Sequence, residues 1–221
     1  VRRSHVLTLA LGVGWTAGQA QTAEPGSQML DAVRQAVAAL PLVPSEGSLL
    51  AWARKEGLGW DALQNLFELQ VLDPANHFLE WRGLHSESGM FTTVRAALYA
   101  KTSREGLLVL NREWCRLDRC TARTTFGWVG PKGWRVTSEA AVIPLLRDAD
   151  FYSGPAYSCL KGVSLGVSYL PARFGAGLTA VAVPPPEAVN VCRAAGVDPS
   201  LVTRPMQLSW HASAGKFRRV P

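Results

Sequence analysis

Three apolar patterns follow one another along the chain. The first is an uncharged run, Val6 to Trp15, preceded by Arg2 and Arg3 and followed by small residues ending Gly18-Gln19-Ala20. The second has helical spacing. Leu30, Val33, Val37 and Leu40 recur at intervals of three and four, and Ser27 precedes them as a cap. Pro41 stops this first helix. Ser45 opens a shorter one through Ala51-Trp52-Ala53, and Trp60, Leu63, Phe67 and Val71 mark a third, closed before Pro74. The third pattern begins near His77, where apolar and polar residues alternate with period two.

That alternation predicts strands at Phe78–Gly83, Phe91–Ala100, Gly106–Asn111, Ala122–Val129 and Trp134–Thr137. Later ones fall at Val163–Leu170, Leu178–Val183, Met206–His211 and Lys216–Val220. Gly130-Pro131-Lys132-Gly133 predicts a hairpin turn. Glu187–Ala195 predicts a short helix after three prolines. The order strand, turn, strand, cysteine-bearing loop, strand, hairpin, strand occurs twice, at about 90–137 and 160–220. Two stacked four-stranded meanders would each bury the other's apolar face.

The expected fold is therefore α+β, with short N-terminal helices followed by an antiparallel, meander-rich sheet or sandwich. Residues 21–75 form the helical segment and residues 76–221 the β-rich region, together one compact domain.

The first pattern sets the compartment. Two arginines, a short apolar run and small residues before Ala20 are the order of a bacterial-type secretory signal over residues 1–20, cut between Ala20 and Gln21. The run is shorter than the roughly 20 residues a membrane span needs, and no later stretch spans either. His5 stands where a twin-arginine signal wants an apolar residue, which favours the general secretory route. Loss of the leader lowers the formal charge from +6 to +4, too mild to name a partner.

Export changes the reading of Cys115, Cys120, Cys159 and Cys192, since an even count in an oxidising compartment implies two disulfides. Four cysteines allow three connectivities. Cys115 and Cys120 flank a short loop that suits a local bridge, which leaves Cys159 with Cys192. Structural zinc fits this spacing poorly, and neither a metal nor a cofactor is expected.

Gly162-Val163-Ser164-Leu165-Gly166 has the letters of a nucleophile elbow, and Asp198 and His211 follow in hydrolase order. The alternation through Val163, Leu165, Val167 and Tyr169 reads instead as one strand running through the motif. His77, His85 and His211 are dispersed, although Asp73, His77 and Glu80 could meet around a turn, as could His85 and Glu87.

The basic loop is more useful. Arg112, Arg116, Arg119 and Arg123 cluster around Cys115 and Cys120 with Trp114 among them, while Glu113 and Asp118 offset the charge. A disulfide-pinned loop bearing arginines and an aromatic is preorganised for an anionic or carbohydrate-like partner. Most tryptophans sit in apolar alternation and read as core, with Trp81, Trp114 and Trp128 as the candidates for exposure. Nucleic acid is not expected, because no phosphate loop, RNA-binding signature or basic helix is present. The expected function is an exported, periplasmic or secreted, binding or structural protein of the cell envelope, with an envelope protein, a glycan or an anionic surface as partner. The alternative is a secreted hydrolase using Ser164, Asp198 and His211.

Overall fold

The computed structural model describes residues 68–85, 90–116 and 119–220, together with Met29, Ala32, Val33 and Ala36. The leader, its cut between Ala20 and Gln21, and the second predicted helix lie outside the described residues.

Ten strands form two antiparallel sheets among the described residues. The larger is β1 (Glu68–Asp73), β2 (Phe78–His85), β3 (Met90–Ala100), β4 (Gly106–Arg116), β5 (Arg119–Gly130) and β6 (Gly133–Thr137), paired in chain order. The smaller is β7 (Gly166–Pro171), β8 (Gly177–Val183), β9 (Met206–His211) and β10 (Lys216–Arg219), also a meander. Short helices α1 (Glu139–Val142) and α2 (Asp148–Phe151) join the sheets, and α3 (Pro186–Ala194) lies between β8 and β9. Both sheets therefore contain a four-stranded meander. The cysteine-bearing connections differ between them, a tight β4–β5 turn in one and α3 in the other.

Period-two alternation gives the larger sheet two apolar faces. Phe78, Ala97, Tyr99, Leu107, Val109 and Phe126 face the smaller sheet and pack on Tyr169, Leu178, Ala180, Leu208 and Phe217. Leu79, Val94, Ala96, Leu108 and Leu110 face the opposite way and are covered by helical Met29, Ala32, Val33 and Ala36. The result is helix on sheet on sheet, with the larger sheet central. Those four helical positions agree with the first predicted helix. A third cluster gathers Leu160, Ala188, Cys192 and Val202 under α3.

The end of the third predicted helix is corrected, because residues 68–73 form β1 rather than a helical turn. Asp73 accepts from the Asn76 backbone and side chain, making a tight turn that folds the segment back onto β2. Edge pairing with an apolar strand then outweighs a helical spacing that has nothing to dock against.

Tyr99 shows how the sheets are joined. Its ring sits 4.9 Å from that of Phe217, and its hydroxyl donates to the Gly177 carbonyl at 2.7 Å. Burial pushes the phenol well above its ordinary range, so it stays protonated as a donor. Tyr99→Phe should lower stability by about 1 kcal/mol, read as a shift in urea midpoint with unchanged slope.

The last strand is tethered by charge. Arg219 donates to the Leu145 carbonyl at 2.6 Å and to the Asp150 carboxylate, which also accepts from the Arg147 backbone at 2.8 Å. The Arg219 hydrogen bond, followed by that from Arg147, holds the Asp150 carboxyl below its usual range. A depressed carboxyl contributes stability above its unfolded value and loses it as pH falls through the folded one. Asp150→Asn should therefore be less stable than the parent at pH 7, and the two should converge as pH falls through the depressed folded value of Asp150. Acid titration of both, followed by circular dichroism, checks this.

Candidate binding surface

The arginine hairpin is built by ladder register. β4 and β5 pair without a break from Gly106↔Val129 to Arg116↔Arg119. Residues directly opposite each other in an antiparallel pair share a face. Arg112↔Arg123, Trp114↔Thr121 and Arg116↔Arg119 are successive pairs on one face, the one that also carries Leu108 and Leu110. Arg112, Trp114 and Arg123 are thus brought onto one hairpin face, while the side chains of Arg116 and Arg119, paired at the end of the same ladder, lie outside the described residues. Arg123 is exposed, Trp114 is half-buried and Arg112 is buried. Like charges directly opposite are unfavourable in a ladder, and Arg112↔Arg123 and Arg116↔Arg119 repeat that arrangement.

The local neutralisation expected from Glu113 does not occur on this face. Glu113 faces the other way, where Arg95 lies 3.4 Å from its carboxylate. Between the arginine positions and Glu113 stands the thickness of the sheet. Asp118 lies outside the described residues.

Cys115 and Cys120 are bonded to each other, as are Cys159 and Cys192. The first bridge joins directly opposed ladder positions, Cys115 buried and Cys120 exposed. The second ties the turn Pro155–Leu160 to α3. The Glu113 carboxylate lies within 4.8 Å of both hairpin sulfurs, but each sulfur is bonded to the other and is not available as a thiolate ligand.

The hydrolase constellation is not assembled. The strand expected to run through the motif is corrected, since Gly162 has φ +79° and residues 162–165 are irregular up to the start of β7 at Gly166. No helix follows, so the strand–turn–helix of a nucleophile elbow is missing there. Asp198 accepts from the Ser200 amide and hydroxyl, which lower its carboxyl. His211 Nδ1 pairs with the Ser213 hydroxyl at 3.2 Å. Among the described residues no hydrogen bond links Ser164, Asp198 and His211.

The other candidates separate as well. Asp73 binds Asn76 and Arg173, which hold its carboxyl low, and Glu80 binds Arg95 at 3.0 Å, so neither turns toward His77. His77 occupies the β1–β2 turn with φ +50°. It borders a shallow groove of about 520 Å³ with Arg104, Glu105 and Pro131. Glu105 there is already paired with Lys101 and Arg135. Trp128 is half-buried beneath the Lys101 ammonium at 4.9 Å, and its ring lies 6.3 Å from that of Trp210. The side chains of Trp81 and His85, and Glu87 as a whole, lie outside the described residues.

Sequence reasoning missed a polar band on the inner face. Glu80, Arg95, Asn111 and Thr124 are neighbours across β2–β5, one row beyond the apolar row Phe78, Ala97, Val109, Phe126. Asn111 is fully buried and donates to Thr124 Oγ1 at 3.0 Å and Ser168 Oγ at 2.9 Å. The available signal was Arg95, the one charged residue of β3, at an inward position of the strand.

No family model, no curated protein and no solved structure matches this chain.

Proposed function

We propose that this is an exported binding protein of the cell envelope whose β4–β5 face engages an anionic partner. The observation that carries the reading is the register. It brings Arg112, Trp114 and Arg123 onto one face, pairs Arg116 with Arg119 at the end of the same ladder, and sends Glu113 to the other face. Such a face attracts anions by charge and offers an aromatic for stacking. The Cys115–Cys120 bridge supports it by limiting the disorder that binding would otherwise have to remove. Two disulfides support the exported compartment. No helix among the described residues is long and apolar enough to cross a membrane.

The test is retention on an immobilised sulfated polysaccharide under a salt gradient. The parent should elute later than Arg116→Ser/Arg119→Ser/Arg123→Ser, and later than a control lacking three basic residues elsewhere, Lys132→Ser/Arg135→Ser/Arg193→Ser. Equal loss in both triple variants would reduce the effect to net charge and remove the site.

A further inference from the structure

The two disulfides have different surroundings, and we infer that Cys115–Cys120 is a site of thiol–disulfide exchange with an external dithiol, whereas Cys159–Cys192 is structural. This stands apart from the anionic-partner reading.

Access comes first. Cys120 is exposed on the hairpin while Cys115 behind it is buried, so an incoming thiolate can reach one sulfur and expel the other. Cys192 is fully buried among Leu160, Ala188 and Val202, and its partner Cys159 is half-buried, so neither sulfur of that bridge belongs to an exposed residue.

Charge comes second. The Glu113 carboxylate lies within 4.8 Å of both sulfurs, on the same face of the hairpin. A neighbouring anion disfavours a thiolate leaving group, so this carboxylate restrains the exchange and its neutralisation releases it.

Tolerance comes third. The Cys115–Cys120 bridge closes only a five-residue separation between strands already paired through to Gly106↔Val129. Opening it leaves the ladder its backbone hydrogen bonds. The other bridge spans a separation of 33 and joins two segments that form no ladder together.

In the exchange, an external thiolate attacks Cys120 Sγ and forms a mixed disulfide. The Cys115–Cys120 bond breaks, and its electron pair leaves with Cys115 Sγ, which takes a proton from water. The second external thiol then displaces Cys120. Two electrons pass from the dithiol, which becomes a disulfide, to the hairpin pair, which becomes two thiols.

The test treats folded protein with graded dithiothreitol, without denaturant, then traps thiols with iodoacetamide and maps them by mass spectrometry. Cys115 and Cys120 should open at least about tenfold faster than Cys159 and Cys192, with the far-ultraviolet circular dichroism unchanged. Glu113→Gln should speed hairpin opening and leave Cys159–Cys192 unchanged, a selective rate effect that a purely structural bridge would not show. With oxidised glutathione, the free Cys120 thiolate of Cys115→Ser should attack the glutathione disulfide, take up one glutathione and release the other as the thiol. Simultaneous opening of both bridges, earlier opening of Cys159–Cys192, or an unchanged hairpin rate in Glu113→Gln would overturn the assignment.

Discussion

Gly127→Val should lower stability by about 3 kcal/mol, near the upper end of the usual cost of overpacking. Gly127 lies in the middle of β5, where a glycine normally weakens a strand. Its reason is Trp134 on the neighbouring strand. A Cβ at Gly127 would meet the Trp134 ring at 2.2 to 2.5 Å, well inside contact distance. The outer part of the six-membered indole ring occupies the place of the missing side chain, and Trp134 packs against the cluster of Leu79, Leu108 and Leu110. A branched side chain there must push the indole off the sheet and open that layer. For a chain of this size the melting temperature should fall by roughly 10 °C. The combination with Trp134→Leu identifies the cause. Each change alone destabilises, but the pair should cost less than the sum, because a smaller side chain vacates the space that valine needs. Additive costs would mean that the indole does not occupy that space.

Loss of Cys159–Cys192, as Cys159→Ser/Cys192→Ser, should cost about 4 kcal/mol, against about 2 kcal/mol for Cys115→Ser/Cys120→Ser. The difference is first one of loop length, separations of 33 and 5 residues. A longer closed loop removes more freedom from the unfolded chain. Environment adds to it. The longer bridge holds the turn Pro155–Leu160 against α3 in a small cluster, and few hydrogen bonds would replace it. The hairpin bridge reinforces residues that the β4–β5 ladder already pairs. Urea unfolding of both double variants against the parent measures the two costs. Equal costs would show that the hairpin end depends on its bridge as much as α3 does.

Much of the β architecture was legible. The strands predicted at Leu178–Val183 and Met206–His211 agree with β8 and β9 to within a residue at either end, and the turn at Gly130–Gly133 closes β5 on β6. The helix expected at Glu187–Ala195 is α3, displaced by one residue. These elements are decided by local alternation, by glycine and proline at turns, and by a three-proline stop. The cysteine count and spacing anticipated both bridges for similarly local reasons.

The failures share a different cause. β4 was expected to end at Asn111 and β5 to begin at Ala122, because the residues between are polar and charged. Both strands continue to the turn because each supplies the other's hydrogen bonds. Residues 68–73 chose a strand because β2 offered an edge. The irregular segment at Ser164 follows from the turn at Gly162 that delivers β7 to the smaller sheet.

The arginine face joins both parts. The sequence by itself determined that four arginines and a tryptophan lie close to a cysteine pair. Tertiary structure decided that Arg112, Trp114 and Arg123 share a face, that Glu113 does not, and that Arg112 is buried. The physical reason is the period of two. Alternation states that neighbours point apart, but only the pairing of β4 with β5 states which residue stands opposite which. A slip of one residue would have exchanged Glu113 for Arg112 on that face.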